Sequence, residues 1–211
     1  MAKYLTRSSA DAPPRYQLTV LPLTFYSLSR HGSGLNNQGQ VVGVSSLDSI
    51  ARGKGGSPLL RLALWQRGKK QWLLFSAQEH LDLDRSSTAA GINDRGQVIG
   101  NFQVISFGAV TSYSSNAFLW AKGSLVDIPL LPGDDYCAVQ GLNNHGEAVG
   151  TAATNAGLSH AFIYRRGKTI NQGVGSASGI NDQSWIIGEG HVDTGPSPQR
   201  TFTFLLTQKR K

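Results

Sequence analysis

The sequence predicts an all-β fold, a small β-propeller, from a repeated ten-residue motif, a high glycine content and a low content of charged residues. The motif reads GLNNQGQVVG at 34–43, GINDRGQVIG at 91–100, GLNNHGEAVG at 141–150 and GINDQSWIIG at 179–188. Successive copies start 57, 50 and 38 residues apart, which brackets the period of propeller blades. Glycine is 25 of 211 residues and charged residues are only 16% of the chain. This composition favours short strands and tight turns over helices.

Each repeat is interpreted as four short strands. The first is a run of small residues before the motif, and the second is the apolar end of the motif. The third strand is RLALW at 61–65, NAFLW at 116–120, HAFIY at 160–164 and TFTFL at 201–205. Between the second and third strands we expect variable loops at 44–60, 101–115, 151–158 and 189–200. A basic turn then leads to the fourth strand, which the last repeat lacks.

The middle of the motif predicts a turn. An Asn side chain can accept hydrogen bonds from its own backbone nearby, and a glycine can take the positive φ that such a turn requires. The expected turn residues are Asn36, Gly39, Asn93, Gly96, Asn143, Gly146 and Asn181. The fourth copy has Ser184 in place of the glycine, and this substitution predicts a strained or altered turn.

An apolar segment, RYQLTVLPL at 15–23, precedes the first repeat and supplies the strand that the last repeat lacks. We therefore predict four blades, with a ring closed by the N-terminal strand, because closure removes an exposed sheet edge. The expected organisation is a flexible tail at 1–14, one propeller domain at 15–207 and a basic tail at 208–211. The main alternative is a β-solenoid.

Large aromatic residues recur at one position of the third strand. Trp65 and Trp120 correspond to Tyr164 in the third repeat. Recurrence at one place in successive blades predicts packing between blades rather than ligand stacking.

The cysteine content and the apolar segments of the chain exclude several classes of protein. A single cysteine, Cys137, excludes an internal disulfide and a multi-cysteine metal site. No apolar run is long enough to predict a transmembrane helix. The N-terminus as written lacks the apolar core of a signal peptide.

Two of the repeats resemble a known family. His160, Ala161 and Phe162 spell the His-Ala-Phe for which the HAF-repeat family is named, and Asn116, Ala117 and Phe118 match it in two of three positions. Together with the ten-residue motifs, the resemblance covers residues 32 to about 205. It implies a bacterial, often extracellular protein with propeller-like repeats and no defined catalytic residues. The missing signal peptide keeps a cytoplasmic location open.

Basic residues cluster in the predicted turns. Strands alternate in direction, so the turns after the first and third strands should lie on one face. Much of the net charge of +7 then gathers there, which suggests an anionic partner such as a polysaccharide or nucleic acid, or another protein. The alternative is that these basic residues are ordinary solvent-exposed residues of hairpin turns with no binding role. The predicted anion-binding residues are Arg67, Lys69, Lys70, Arg95, Lys122, Arg165, Arg166 and Lys168.

The leading hypothesis is a non-enzymatic binding or scaffolding protein. We predict no catalytic residues, no metal and no cofactor, because no metal-binding spacing or nucleophile motif is present. One alternative is a propeller-based hydrolase or lyase acting on a glycan or small molecule at the variable loops. Its only loose candidates are acidic and histidine residues, namely Asp134, Asp135, His80 and His191. Another alternative is a purely structural surface protein.

Overall fold

The protein is all-β in the part that its computed structural model describes, which comprises residues 32–46, 60–73, 87–106, 112–192 and 200–207. Fifteen strands form four antiparallel sheets, and no helix occurs in these ranges. The described residues accordingly contain no helix long and apolar enough to span a membrane. The prediction of an all-β fold is confirmed.

Each sheet consists of consecutive strands from one repeat. Sheet 1 contains β1 (Gly32–Leu35), β2 (Val41–Ser46), β3 (Leu60–Gln66) and β4 (Lys69–Trp72). Sheet 2 contains β5 (Ser87–Ile92), β6 (Val98–Ser106), β7 (Ser112–Ala121) and β8 (Ser124–Ile128). Sheet 3 contains β9 (Tyr136–Leu142), β10 (Ala148–Ala153), β11 (Ser159–Arg165) and β12 (Lys168–Val174). In sheet 4 the described strands are β13 (Ser176–Ile180), β14 (Ile186–Val192) and β15 (Arg200–Leu206).

Strand pairing therefore stays within a repeat in the described chain. A β-solenoid would instead pair strands from successive repeats, so the observed pairing does not support that alternative. The segment 15–23, which we expect to complete sheet 4, lies outside the described residues, as do both predicted tails.

The prediction of a loop at 101–115 is wrong. Strand β6 continues to Ser106 and β7 begins at Ser112, with pairing that extends to Ser106↔Ser112. The serine content of this segment suggested a loop, but its β-branched and aromatic residues fit a long hairpin. Strands β10 and β14 also extend into the predicted loops, as far as Ala153 and Val192.

The last glycine of the motif is required by close packing. A Cβ atom on Gly150 would lie 2.0 Å from the carbonyl oxygen of Ala138, and one on Gly100 would lie 2.3 Å from that of Thr88. On Gly100 the added Cβ would also meet the ring of Phe118 at 2.4 Å. The first strand has a register shift beside this glycine in every sheet, which brings the carbonyl close.

Among the described residues the core forms three apolar clusters, one between each pair of successive sheets. Val42 of sheet 1 packs in the same cluster as Val98 of sheet 2, and Val149 of sheet 3 packs with Ile186 of sheet 4. Trp120 lies in the cluster between sheets 1 and 2, and Tyr164 lies in the one between sheets 2 and 3. Both aromatics therefore pack between successive sheets, as their recurrence in the sequence predicted.

The outer side of sheet 4 has no such partner among the described residues. Ile187 is 48% exposed, whereas its counterparts Val42, Ile99 and Val149 are 0% exposed. Leu205, which pairs with Ile187 as Ile163 pairs with Val149, is 59% exposed, whereas Ile163 is 3% exposed. The described array of sheets therefore ends in an uncovered apolar surface.

Candidate functional site: the turn face

One end of the sheets collects two kinds of turn, and we call this end the turn face. It comprises the turns within the four motifs and the hairpins β3–β4, β7–β8 and β11–β12. Two side-chain contacts show that both kinds lie together: Gln40 Nε2 is 3.4 Å from Gln66 Oε1, and Arg165 is 3.9 Å from Glu147. The sequence predicted this common face.

The motif asparagines close their own turns. The Oδ1 atom of Asn93 accepts hydrogen bonds from the backbone N–H groups of Arg95 and Gln97, both at 3.0 Å. The same two bonds recur at Asn36, Asn143 and Asn181. Gly39, Gly96 and Gly146 have φ of 70, 71 and 81°, and Ser184 takes the same left-handed region at 58°. A positive φ at this position is what the sequence predicted for the glycines.

The other end of each asparagine side chain connects neighbouring repeats. Asn36 Nδ2 donates to the carbonyl oxygen of Asn93 at 2.9 Å, and Asn93 Nδ2 donates to that of Asn143 at 2.9 Å. Asn143 Nδ2 continues the series to Asn181 at 3.1 Å. These three asparagines are 8%, 5% and 2% exposed, so their amides are shielded from competing water.

Nδ2 of each of these asparagines has a second acceptor inside its own turn. This acceptor is the side chain four residues later, at Gln40, Gln97 and Glu147. Both amide hydrogens and the amide oxygen are thus satisfied, which a buried polar group requires.

The residue after each asparagine forms a second row of contacts. The backbone N–H groups of Asn37, Asp94 and Asn144 donate to Oδ1 of Asp94, Asn144 and Asp182, each at 2.8 Å. The Asn37 backbone N–H, followed by the Asn37 side chain, lowers the pKa of Asp94. The Asn144 backbone N–H, followed by its side chain, lowers the pKa of Asp182. A lowered folded-state pKa means that these carboxylates stabilise the fold above their ordinary pKa, and that this contribution is lost as the pH falls through the folded-state pKa.

All four repeats contribute residues to one open cavity of about 330 Å³ on this face. Its lining consists of the same three motif positions from each repeat, at 35–37, 92–94, 142–144 and 180–182. The two Asp carboxylates lie at the polar rim of the cavity and already accept hydrogen bonds from the protein.

Basic residues occupy the outer part of the turn face. Each hairpin has a two-residue loop whose residues both have positive φ: Arg67–Gly68, Lys122–Gly123 and Arg166–Gly167. Two positive φ values are the requirement of a type I′ turn, which favours Asn-Gly. The three cations at the first position, with φ of 50, 51 and 51°, are exposed.

The remaining predicted anion-binding residues divide into two groups. Lys69, Arg95 and Lys168 are exposed. Lys70 is partly buried, with its ammonium 4.2 Å from the centre of the Trp72 ring, and Arg165 faces Glu147. The structure therefore brings the predicted set to one face but directs the Lys70 ammonium toward a protein partner.

The fourth motif departs from the other three at two adjacent positions. Ser184 replaces the glycine, and Trp185 replaces the Gln or Glu that binds the asparagine amide. Trp185 is 42% exposed, and within the described residues Asn181 Nδ2 makes no hydrogen bond. Ser184 Oγ instead donates to Glu147 of the third repeat.

Of the residues considered for catalysis, Asp134 and Asp135 are described by the structure, and both make contacts within the protein. Asp134 is buried and its carboxylate is 3.0 Å from His160 Nδ1, which joins the segment before β9 to β11. Asp135 accepts the backbone N–H of Asn155. His80 and the side chain of His191 lie outside the described residues. In the described ranges no three His, Cys, Asp or Glu side chains could together hold a metal ion.

Cys137 is buried between sheets 2 and 3. Burial raises the pKa of its thiol to about 11, which disfavours the reactive thiolate.

Comparison with known proteins adds no family: no family model, curated protein or solved structure matches this chain.

The sequence predicted the turn role of the asparagines but missed their bonds to the next repeat. A signal was present, since three of the four motifs place Gln or Glu four residues after the asparagine. A turn alone does not need an acceptor at that position. The recurrence of Gln or Glu at that position indicates that the asparagine amide is buried and that its second N–H hydrogen needs an acceptor.

We expect Asn93→Ala to destabilise the protein more than Asn181→Ala. The first change removes the turn bonds and leaves the carbonyl of Asn143 without its inter-repeat donor, whereas the second removes only turn bonds. An additional loss of about 1–3 kcal/mol is expected for Asn93→Ala. Urea unfolding monitored by circular dichroism measures both, and equal losses would contradict the inter-repeat role.

Proposed function

We propose that this chain is a non-enzymatic binding or scaffolding repeat protein that engages an anionic partner through the turn face. The proposal includes the finer assignment of the four sheets as blades of a propeller and of the chain as a HAF-repeat protein. The cavity that all four repeats share supports the propeller assignment, because blades surround a common axis.

The observation that carries the proposal is the conformation of the three hairpin tips. A non-glycine residue in the left-handed region costs roughly 1 kcal/mol, and Asn, Asp or Gly would reduce that cost. Yet Arg67, Lys122 and Arg166 all occupy this position, in three separate hairpins. Strained backbone that recurs at exposed charged residues supports a functional role for those residues.

The distribution of charge favours an elongated anion. The tips belong to three successive sheets, so they present separate cations around the turn face rather than one pocket. The carboxylates of Asp94 and Asp182 lie at the central cavity. A polyanion that spans several tips can gain from each of them and avoid the acidic centre.

The triple variant Arg67→Asn, Lys122→Asn and Arg166→Asn should be more stable than the natural protein but bind polyanions more weakly. Asn tolerates the left-handed conformation, so melting temperature should rise, while three lost charges should weaken heparin binding and its salt dependence. Differential scanning calorimetry and titrations across salt concentrations measure the two effects.

A matched control keeps the turns intact. Lys69→Gln with Lys168→Gln removes charges from strand positions beside the tips and should weaken binding without the gain in stability. If the triple variant binds heparin as tightly as the natural protein, the basic residues serve only as solvated hairpin tips and the proposal is wrong.

The propeller assignment makes a separate prediction. We propose that residues 15–23 supply a fourth strand to the free edge of β15, because sheet 4 has three described strands where the others have four. Deletion of residues 1–23 should then lower the melting temperature substantially, while deletion of residues 1–14 should not. An unchanged melting curve for the longer deletion would exclude this closure.

A further inference from the structure

The cavity on the turn face has an apolar part and an acidic part. The apolar part is formed by the second residue of each motif, where the first strand of each sheet ends: Leu35, Ile92, Leu142 and Ile180. Leu35 is 69% exposed although it is a large aliphatic residue. The acidic part is formed by Asp94 and Asp182, at the fourth position of their motifs. Aliphatic and anionic groups therefore line the same open space.

The two carboxylates lie beside one shared amide group. Asn144 Nδ2 donates to Oδ2 of Asp94 at 3.3 Å and to Oδ2 of Asp182 at 3.0 Å. The Asn144 backbone N–H, followed by the Asn144 side chain, lowers the pKa of Asp182, and the charge of Asp94 acts in the opposite direction. The pKa of Asp94 is lowered as well, so both groups are ionised at neutral pH. Two like charges are thus held near each other, and none of the described residues that line the cavity is basic.

Neither carboxylate uses its full hydrogen-bonding capacity. A carboxylate offers about four lone-pair sites. From the described residues Asp94 accepts three hydrogen bonds, two from Asn37 and one from Asn144. Asp182 accepts two, both from Asn144. Acceptor sites remain on both carboxylates, and a primary ammonium group brings N–H donors and a positive charge to such a position.

The walls of the cavity are ordered before a ligand binds. A Cβ atom on Gly34 would lie 3.0 Å from the backbone nitrogen of Ile92, and one on Gly141 would lie 3.0 Å from Cα of Gly179. The first strands of neighbouring sheets are therefore in close contact next to the turns at these two junctions. A site that is already formed loses little conformational entropy when a ligand binds.

We propose that this cavity binds an aliphatic primary amine in its protonated form, with the ammonium group between Asp94 and Asp182 and the methylene chain against the apolar part. This inference goes beyond the proposed function, because the ligand is a small cation and the site lies apart from the basic hairpin tips. Aliphatic ammonium groups place their methylene chain on apolar surface while the charge keeps polar partners. The cavity volume of about 330 Å³ suits a small ligand.

Two other classes of cation match the lining less well. A calcium ion takes roughly six to eight oxygen ligands. The cavity offers two carboxylates, and Oδ1 of each is bonded to a backbone N–H group. A quaternary ammonium ion is typically recognised by aromatic rings, and none of the described residues that line the cavity is aromatic. The lining therefore favours a primary amine.

The first experiment identifies the ligand class. Aliphatic ammonium groups occur in free polyamines and in the lysine side chains of proteins, so the probes are spermidine and N-acetyl-lysine amide, with calcium chloride as the metal probe. Isothermal titration calorimetry should show binding of amine that weakens as salt rises, and no binding of calcium. Tighter binding of spermidine would assign the site to a free polyamine. Equal or tighter binding of the lysine derivative would assign it to a protein side chain.

The variant Asp182→Asn tests the acidic part. Asparagine occupies the same motif position at Asn37 and Asn144, so the variant should fold, which a melting curve verifies. We expect the Kd for spermidine to rise at least about tenfold, as the loss of a hydrogen bond to a charged group does. The matched control Asp135→Asn removes the same charge before β9, at the other end of sheet 3, and should leave this Kd unchanged.

The variant Leu35→Ala tests the apolar part. Leu35 is mostly exposed, so its truncation should hardly change the melting temperature. The Kd for spermidine should rise at least about threefold, because contacts with the methylene chain are lost. An unchanged Kd would contradict the placement of the chain against this residue.

The inference fails if the natural protein binds neither amine, if Asp182→Asn and Asp135→Asn bind spermidine alike, or if calcium binds and the amines do not. Heparin binding is measured on the same proteins. A natural protein that binds heparin but no amine keeps the proposed function and loses this site. One that binds amine but no polyanion keeps this site and loses the proposed function.

Discussion

The arrangement of the four sheets depends on a buried asparagine amide that must satisfy all of its hydrogen-bonding groups. A primary amide offers two donors and one acceptor of two bonds, and the motif uses them for different purposes. The oxygen closes the turn of its own repeat, and the nitrogen reaches the backbone of the next. Local turn geometry is therefore coupled to the packing of successive sheets. A change that distorts one turn also breaks the hydrogen bond from its asparagine to the next repeat.

Side chains and backbone fix the spacing between turns in every described junction, with donor–acceptor distances of 2.9 to 3.1 Å in the asparagine series. Along the sheets, the described contacts between repeats are mainly apolar, and the residues differ from one interface to another. The junction between sheets 2 and 3 has one additional device, since Asn101 bonds both backbone groups of Val139. At the corresponding position the next junction has Thr151, whose buried hydroxyl has no hydrogen-bond partner.

The fourth repeat shows what happens where the constraint is relaxed. No described repeat comes after the one that contains Asn181, and the Asn181 side chain is exposed. The Gln or Glu that lies four residues after the asparagine in the other motifs is replaced here by Trp185. Relief from the structural requirement leaves this turn free to carry a different residue.

Much of the fold could be predicted from the sequence because its signals are local. Turn residues and strand alternation predicted the all-β class, the third and fourth strands and the common face of the turns. The long β6–β7 hairpin was missed because serine-rich strands resemble loops in composition. The inter-repeat bonds were missed because they join residues 38 to 57 positions apart. The loss of an amide acceptor at Trp185 became evident only when the structure showed which atom the Gln or Glu of the other motifs contacts.

Hydrogen exchange of four backbone amides tests the central claim most directly. The N–H groups of Asn37, Asp94 and Asn144 donate to side chains of the following repeat, while that of Asp182 has no such bond among the described residues. Because Asn37 and Asp182 are both exposed residues, burial alone does not distinguish their amides. We predict slow exchange at Asn37, Asp94 and Asn144 and fast exchange at Asp182, measured by NMR. Equally fast exchange at all four amides would contradict the coupling of repeats through their turns.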